Sequence, residues 1–402
     1  MTWRRSAQYC FLAAAMTIVS PSRAGIWGTQ PVIGISGDYS SNPSLSNLPN
    51  TAESHADALL DAPTTYNGDA LKLSILPSFR LSNAQGYSSL DSDYEHLNVG
   101  AEFDTDRDVF TAAAGAARDS SLYHDYLLNG STGVRRDTAT ADLNWDRHVT
   151  ERFEIDADVN SMRERFGQST GAATLTDYKY TSIAPNLGWT ESELGKLTLG
   201  ANAGRYNSLD GLTESTSANV QLGIARQLSE IWALSASAGY SRADNRIDLT
   251  EEAVEFTPNG PILVLIPLAA KSSQSGSIFS VNLSRQTSLL LLSANASRQL
   301  TPTGFAFLSR QDNYELKATY TPSERWTFNG DVRRIRYEQP GLGDQRVVSL
   351  QLSAVWQWTE HWSITMNASY VAERYGSPAV GISSSEVGVE LSRRFNWKSF
   401  QQ

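Results

Sequence analysis

The chain has 402 residues, a formal net charge of −10, 40% hydrophobic residues and a mean hydropathy of −0.34. Beyond the first two dozen residues no apolar run reaches the ~20 residues of a helical membrane span, which excludes a helical membrane protein. The acid excess argues against nucleic acid as a partner, and the length leaves either several soluble domains or one large barrel.

Residues 1–24 read as an export signal. Arg4 and Arg5 precede an apolar stretch from Cys10 to Val19, and Ser22-Arg23-Ala24 supplies a small-residue cleavage site. Cys10 is the sole cysteine, so the mature chain has no disulfide framework, and losing three arginines takes its charge to −13. Residues 25–69 differ in kind from the remainder of the chain. A short strand, Val32 to Ser40, leads into a segment rich in Ser, Asn, Pro, Ala and Asp without clear periodicity. The expectation is a periplasmic leader, a plug entering a lumen, or disorder, outside the main domain at 70–402.

From Ala70 onward apolar and polar residues alternate, strand after strand. Leu71, Leu73, Ile75, Phe79 and Leu81 oppose Lys72, Ser74, Ser78 and Arg80. Leu97, Val99, Ala101 and Phe103 alternate with Asn98, Gly100, Glu102 and Asp104. Ala139 to Trp145 and Phe153 to Val159 repeat the pattern against Asp142, Asp146, Glu154, Asp156 and Asp158. Comparable segments lie near 177–190, 196–206, 216–228, 231–243, 276–286, 289–299, 312–321 and 326–337. The strongest case is Arg346 to Arg374: Val348, Leu350, Leu352, Ala354 and Trp356 share one face, and Trp362, Ile364, Met366, Ala368 and Tyr370 resume it after Thr359-Glu360-His361. A period of two puts each set on one face of a hairpin.

Short links such as Thr150-Glu151-Arg152, Ser229-Glu230 and Ser323-Glu324-Arg325 alternate with longer ones near 118–136, 166–176, 244–273 and 300–311. That asymmetry, with aromatics at strand ends, is expected of an all-β, transmembrane, antiparallel up-and-down barrel. Counting from 70 gives about 16 strands, with 14 or 18 as alternatives. The last strand is placed at Glu386 to Trp397, where Arg393 breaks the apolar parity. It resembles the terminal signal read by the outer-membrane assembly machinery, an implied partner with the membrane's lipid and lipopolysaccharide. A soluble sheet alternates too, but the polar faces here offer no dry second layer.

The run Ala296 to Gly304, with Arg298, Pro302 and Arg310, is similar to a loop phrase of a poorly characterised family of proteobacterial porin-like outer-membrane β-barrels. Ser323-Glu324-Arg325 and Tyr39-Ser-Ser-Asn-Pro43 share that resemblance, while Ala306 stands where the family has a second Gly. Some relatives are linked to exopolysaccharide or exosortase systems, which implies polysaccharide export components as partners.

No enzyme site, cofactor or metal site emerges. His55, His96, His124, His148 and His361 are scattered, and His124 beside Asp125 and Ser120-Ser121 is the one rim candidate for hydrolytic chemistry. Pro261 to Ala270 is an apolar stretch read as an extension of the wall, an inward constriction or a partner patch. Parity turns Glu102, Asp104, Asp142, Asp146, Glu154, Asp156 and Asp158 into the lumen, and later strands add Glu315, Lys317, Asp331, Arg333, Glu390 and Arg394. Facing charges either pair across a filled interior or form an acidic wall that favours cations. The expected function is a porin-like channel for small solutes or for export of an envelope polymer. The alternative is a closed barrel binding an envelope partner through its loops.

Overall fold

The computed structural model describes residues 25–42, 52–85, 94–120, 135–167, 175–257, 260–303, 308–339, 343–375 and 380–395, with 84–85, 120, 249–257, 260–269, 339, 343, 375 and 380 described by backbone alone. Among these residues none is helical; the chain is strand and turn throughout. β1 runs in two stretches, Ile26–Thr29 and Val32–Ser40, and β2 in two, Glu53–Asp61 and Thr64–Asn67. Then come β3 (Leu71–Gln85), β4 (Tyr94–Asp104), β5 (Asp108–Ser120), β6 (Arg135–His148), β7 (Phe153–Phe166) and β8 (Tyr178–Ser192). β9 (Gly195–Ser208), β10 (Thr213–Gln227), β11 (Trp232–Thr257), β12 (Gly260–Gln286) and β13 (Leu290–Pro302) continue the wall. β14 (Leu308–Ser323), β15 (Trp326–Gln339), β16 (Gly343–Gln357), β17 (Trp362–Tyr375) and β18 (Val380–Arg394) complete it.

Each strand pairs antiparallel with its sequence neighbours, and β1 pairs with β18 from Val32↔Arg394 to Ser40↔Glu386. The sheet therefore closes on itself, with free edges left, among the described residues, only where the β11–β12 hairpin and the β13–β14 hairpin extend beyond their outer neighbours. The count is 18, not the 16 expected first. The extra pair comes from residues 26–67, which the sequence pattern set outside the barrel. Their pairing keeps one register from Ile26↔Asn67 to Ser40↔Glu53, although Pro31 and Pro63 interrupt it. Proline removes a ladder donor, and the outer face here holds small residues such as Gly37, Ala56 and Ala58. Those two features flattened the alternation. The stretch 244–273, expected as a loop, instead prolongs β11 and β12 into a tall hairpin paired to Thr257↔Gly260. Its backbone takes the wall-extension alternative for Pro261 to Ala270. The last strand is described from Val380 to Arg394, and Trp397, its expected end, lies outside the described residues.

Contacts between non-adjacent strands identify the concave face. Arg80 on β3 reaches over β2 to Asp38 on β1 at 3.5 Å, so the polar face is the interior. The apolar face looks outward round the whole circumference: Leu81 is 62% exposed, Leu143 58%, Leu222 67%, Leu352 50% and Val387 54%. A stacked aromatic row, Tyr320–Phe328–Trp326–Trp356–Trp358, borders that belt toward the short turns. Arg393 completes the border, with its guanidinium 5.4 Å from the Trp362 ring and 4.7 Å from Phe395. Its break in apolar parity is thus a cation held on aromatic faces.

The recurring Ser/Thr phrase has a local cause. The hydroxyls of Thr105, Thr150, Ser229, Thr287 and Thr359 each accept the backbone N–H three residues on, at 2.9–3.2 Å. That bond caps a tight reversal and frees the next residue to start a strand. At the opposite end one described turn is short, closed by Gly211 at φ 76°. Residues 1–24, with the expected export signal, and His124 lie outside the described residues.

Candidate functional site: the barrel lumen

The residues expected in the lumen share the polar face of the wall and have unequal neighbours. Glu102 (β4) is matched by Lys72 at 2.6 Å, and Glu154 (β7) accepts a hydrogen bond from Lys196. Asp104 lies beside the short turns, opposite Val109. Lys317 bridges Glu315 at 2.9 Å and Asp331 at 3.7 Å, and Arg333 donates to Asn313 at 2.9 Å. Those charges largely cancel.

β6 and β7 differ. Asp146 faces Asp156 directly in register. Asn144 donates to Asp158 at 2.7 Å, Asn186 donates to Asp156 at 2.7 Å, and Asn160 donates to Asp142. Amides bond Asp142, Asp156 and Asp158 without neutralising them, while Asp146 keeps a buried oxygen with no hydrogen-bond partner among the described residues. Among the described residues none of Asp142, Asp146, Asp156 and Asp158 has a cation within ion-pair distance, so one wall keeps a concentrated negative charge.

Burial changes along the barrel axis. Toward the long loops the inward residues are buried round the circumference, including Asp38, Asp119, Arg136, Tyr178, Tyr206, Val347 and Glu373. Arg136 donates twice to Asp119 at 3.0 Å and lies 3.6 Å from Glu164, all three nearly sealed from solvent. Ile335, Tyr337, Val347 and Val371 pack together at the same level. Nearer the short turns, Asp142 and Asp158 face open space. The lumen is a vestibule open toward the short turns and roofed toward the long loops.

Part of the roof is the β13–β14 hairpin, whose region the sequence suggested only as a loop. β13 leaves β12 at Phe279↔Arg298 but stays paired with β14 to Pro302↔Leu308. The hairpin's described ends, Thr303 and Leu308, fold inward against the inner face of β8, β9 and β11. Tyr206 of β9 donates its hydroxyl to the Thr303 carbonyl at 3.3 Å, and Leu308 joins Tyr178, Tyr206 and Ala243 in a buried cluster. The two tyrosine rings stack at 4.9 Å. Arg310 passes over Gly276, where a Cβ would lie 3.1 Å from its guanidinium. Tyr178 and Tyr206 end polar inner runs, and that position was the available sequence signal; what covers them needed register.

The histidines do not converge. His55 and His96 lie on the inner face, His148 and His361 at short turns, and no metal-binding group occurs among the described residues.

No protein-family model matches the chain, and no curated protein matches it. Among solved structures, OpdQ of Pseudomonas aeruginosa is similar over 93% of this chain and 98% of its own, at 10% identity and TM-score 0.45. OccK2 (OpdF) of the same organism, solved with glucuronate, covers 92% and 98% at 12% identity and TM-score 0.45. The unliganded ferric citrate transporter FecA covers 91% and 78% at 7% identity and TM-score 0.49. At these values they transfer no function to this chain.

Proposed function

We propose that this chain is an outer-membrane channel for small solutes, selective for cations and closed at rest by the β13–β14 hairpin tip. The exposed apolar belt with its aromatic border supports the membrane seat, since a closed barrel satisfies its backbone in lipid and leaves its outer face greasy. Barrels of 16–18 strands leave room for an aqueous path. The observation that carries the reading is the vestibule itself. Water-accessible carboxylates lacking cationic partners line one wall below a roof made partly of a single hairpin tip. Each unit charge there interacts with a permeating ion by about 1 kcal/mol at 4 Å in water, and more where water is restricted. Passage of a polymer such as exopolysaccharide, which the resemblance implies, would require the tip to leave the lumen altogether.

The roof also favours a second reading, a permanently closed barrel that engages an envelope partner through its loops. Planar-bilayer recording separates the two. The channel reading expects intermittent, cation-selective steps from the purified protein. In a salt gradient, Asp142→Asn, Asp156→Asn and Asp158→Asn together lower the reversal potential without abolishing current. Silence from the parent protein and from a variant with the hairpin tip shortened would give first place to the closed barrel.

A further inference from the structure

On the outer wall the apolar belt ends at the same level on two neighbouring strands. β7 runs outward through Phe153, Ile155, Ala157 and Val159 to Ser161, and β8 through Trp189, Leu187, Pro185 and Ile183 to Thr181. The hydroxyls of Ser161 and Thr181 lie 3.4 Å apart. The next outward residues are Arg163 and Lys179, direct partners in register, and Arg165 comes after them on β7, opposite Asp137, whose carboxylate is held by Arg118 at 2.8 Å. From Phe153 to Arg163 the rise is roughly 25 Å, taking ~3.3 Å per residue and a ~40° tilt, which is the height of an apolar membrane band.

All three cations are exposed, and among the described residues none has a carboxylate within ion-pairing distance. Their neighbours do: Arg118 meets Asp137 at 2.8 Å and Arg205 meets Glu214 at 2.7 Å. Like charges facing each other across a ladder destabilise it unless an anion sits between them. We propose that Arg163, Arg165 and Lys179 form an outer-wall site for the phosphate of a phosphorylated glycolipid of the outer leaflet. A phosphomonoester carries nearly two charges, and guanidinium binds its oxygens through paired hydrogen bonds. The three unmatched cations therefore suit it better than the single charge of a glycerophospholipid diester. The hydroxyl pair of Ser161 and Thr181 lies where the sugar enters the belt. The assignment rests on the membrane seat proposed above and not on conduction.

Native mass spectrometry of the purified full chain tests it, with a bis-phosphorylated lipid A, its dephosphorylated form, phosphatidylglycerol and inorganic phosphate as probes. The phosphorylated glycolipid should bind, and the R163Q/K179Q variant should bind it at least tenfold more weakly. R163K/K179R should retain it, and so should Arg242→Gln, which removes an arginine already paired with Asp244. Equal binding of the dephosphorylated form or of phosphatidylglycerol would overturn the site. So would displacement by equimolar inorganic phosphate, or an R163Q/K179Q variant that binds like the parent. Recovery of each variant in the outer-membrane fraction checks the seat separately.

Discussion

At the scale of single residues, parity carries most of the meaning. Leu352 points outward and is half exposed, whereas its neighbour Ser353 faces the lumen and accepts a hydrogen bond from Asn329 at 3.1 Å. An arginine at mid-belt costs roughly 2–4 kcal/mol in a barrel wall. Leu352→Arg should therefore lower stability by about that amount in a denaturant titration, and Ser353→Arg by far less. Equal losses would mean the parity assignment is wrong, and a larger loss at Ser353 would mean the faces are reversed. This level was readable without coordinates, because a period of two assigns every residue to a face. It does not assign a height. Asp142 and Arg136 share the inner face of β6, yet one looks into open space and the other is sealed against Asp119 and Glu164. Nor does parity reveal pairing: Glu102 and Asp158 read alike in the sequence, but only Glu102 has a lysine beside it.

At the scale of elements, the proposed channel turns on the β13–β14 hairpin. The residues flanking its tip are fastened by one hydroxyl, from Tyr206 to the Thr303 carbonyl, and by Leu308 packed against the stacked tyrosines. A typical hydrogen bond contributes about 1 kcal/mol net, so Tyr206→Phe should raise the open fraction of the channel roughly fivefold with unit conductance unchanged. Single-channel recording reads both quantities, and an unaltered open fraction would show that the tip is not the gate. The strands legible in the sequence were those with bulky outer faces, such as β16 and β17. Val32 to Ser40 of β1 was legible as a strand, but β2 and the place of both in the wall were not, because Ala56 and Ala58 occupy the outer face of β2 and Pro31 and Pro63 break the pair. The inward fold of the tip was not legible, since it depends on β13 releasing β12 after Arg298, which no local pattern encodes.

At the scale of the whole molecule, residues 25 and 395 both lie at the short-turn rim, where Phe395 donates its N–H to the Pro31 carbonyl at 2.8 Å. In an outer membrane that rim faces the periplasm. A cysteine at Asp210, in the turn at the opposite end, should react with an impermeant maleimide on intact cells, while one at Glu151 or Glu324 should not. The reverse result would invert the barrel.

The seam between β1 and β18 also has a consequence for how the molecule is made. Ser40 and Ser384 meet at 3.2 Å across 344 residues of chain, so the first strand has no second partner until almost the last one is delivered. Every partly assembled form is an open ribbon with two raw borders, and only complete synthesis supplies the strand that joins them. Such a ribbon would template onto its own copies, and a closure of such long span is slow. The chain therefore has to be escorted in an unpaired state and zipped shut once, at the membrane, when its final strand arrives.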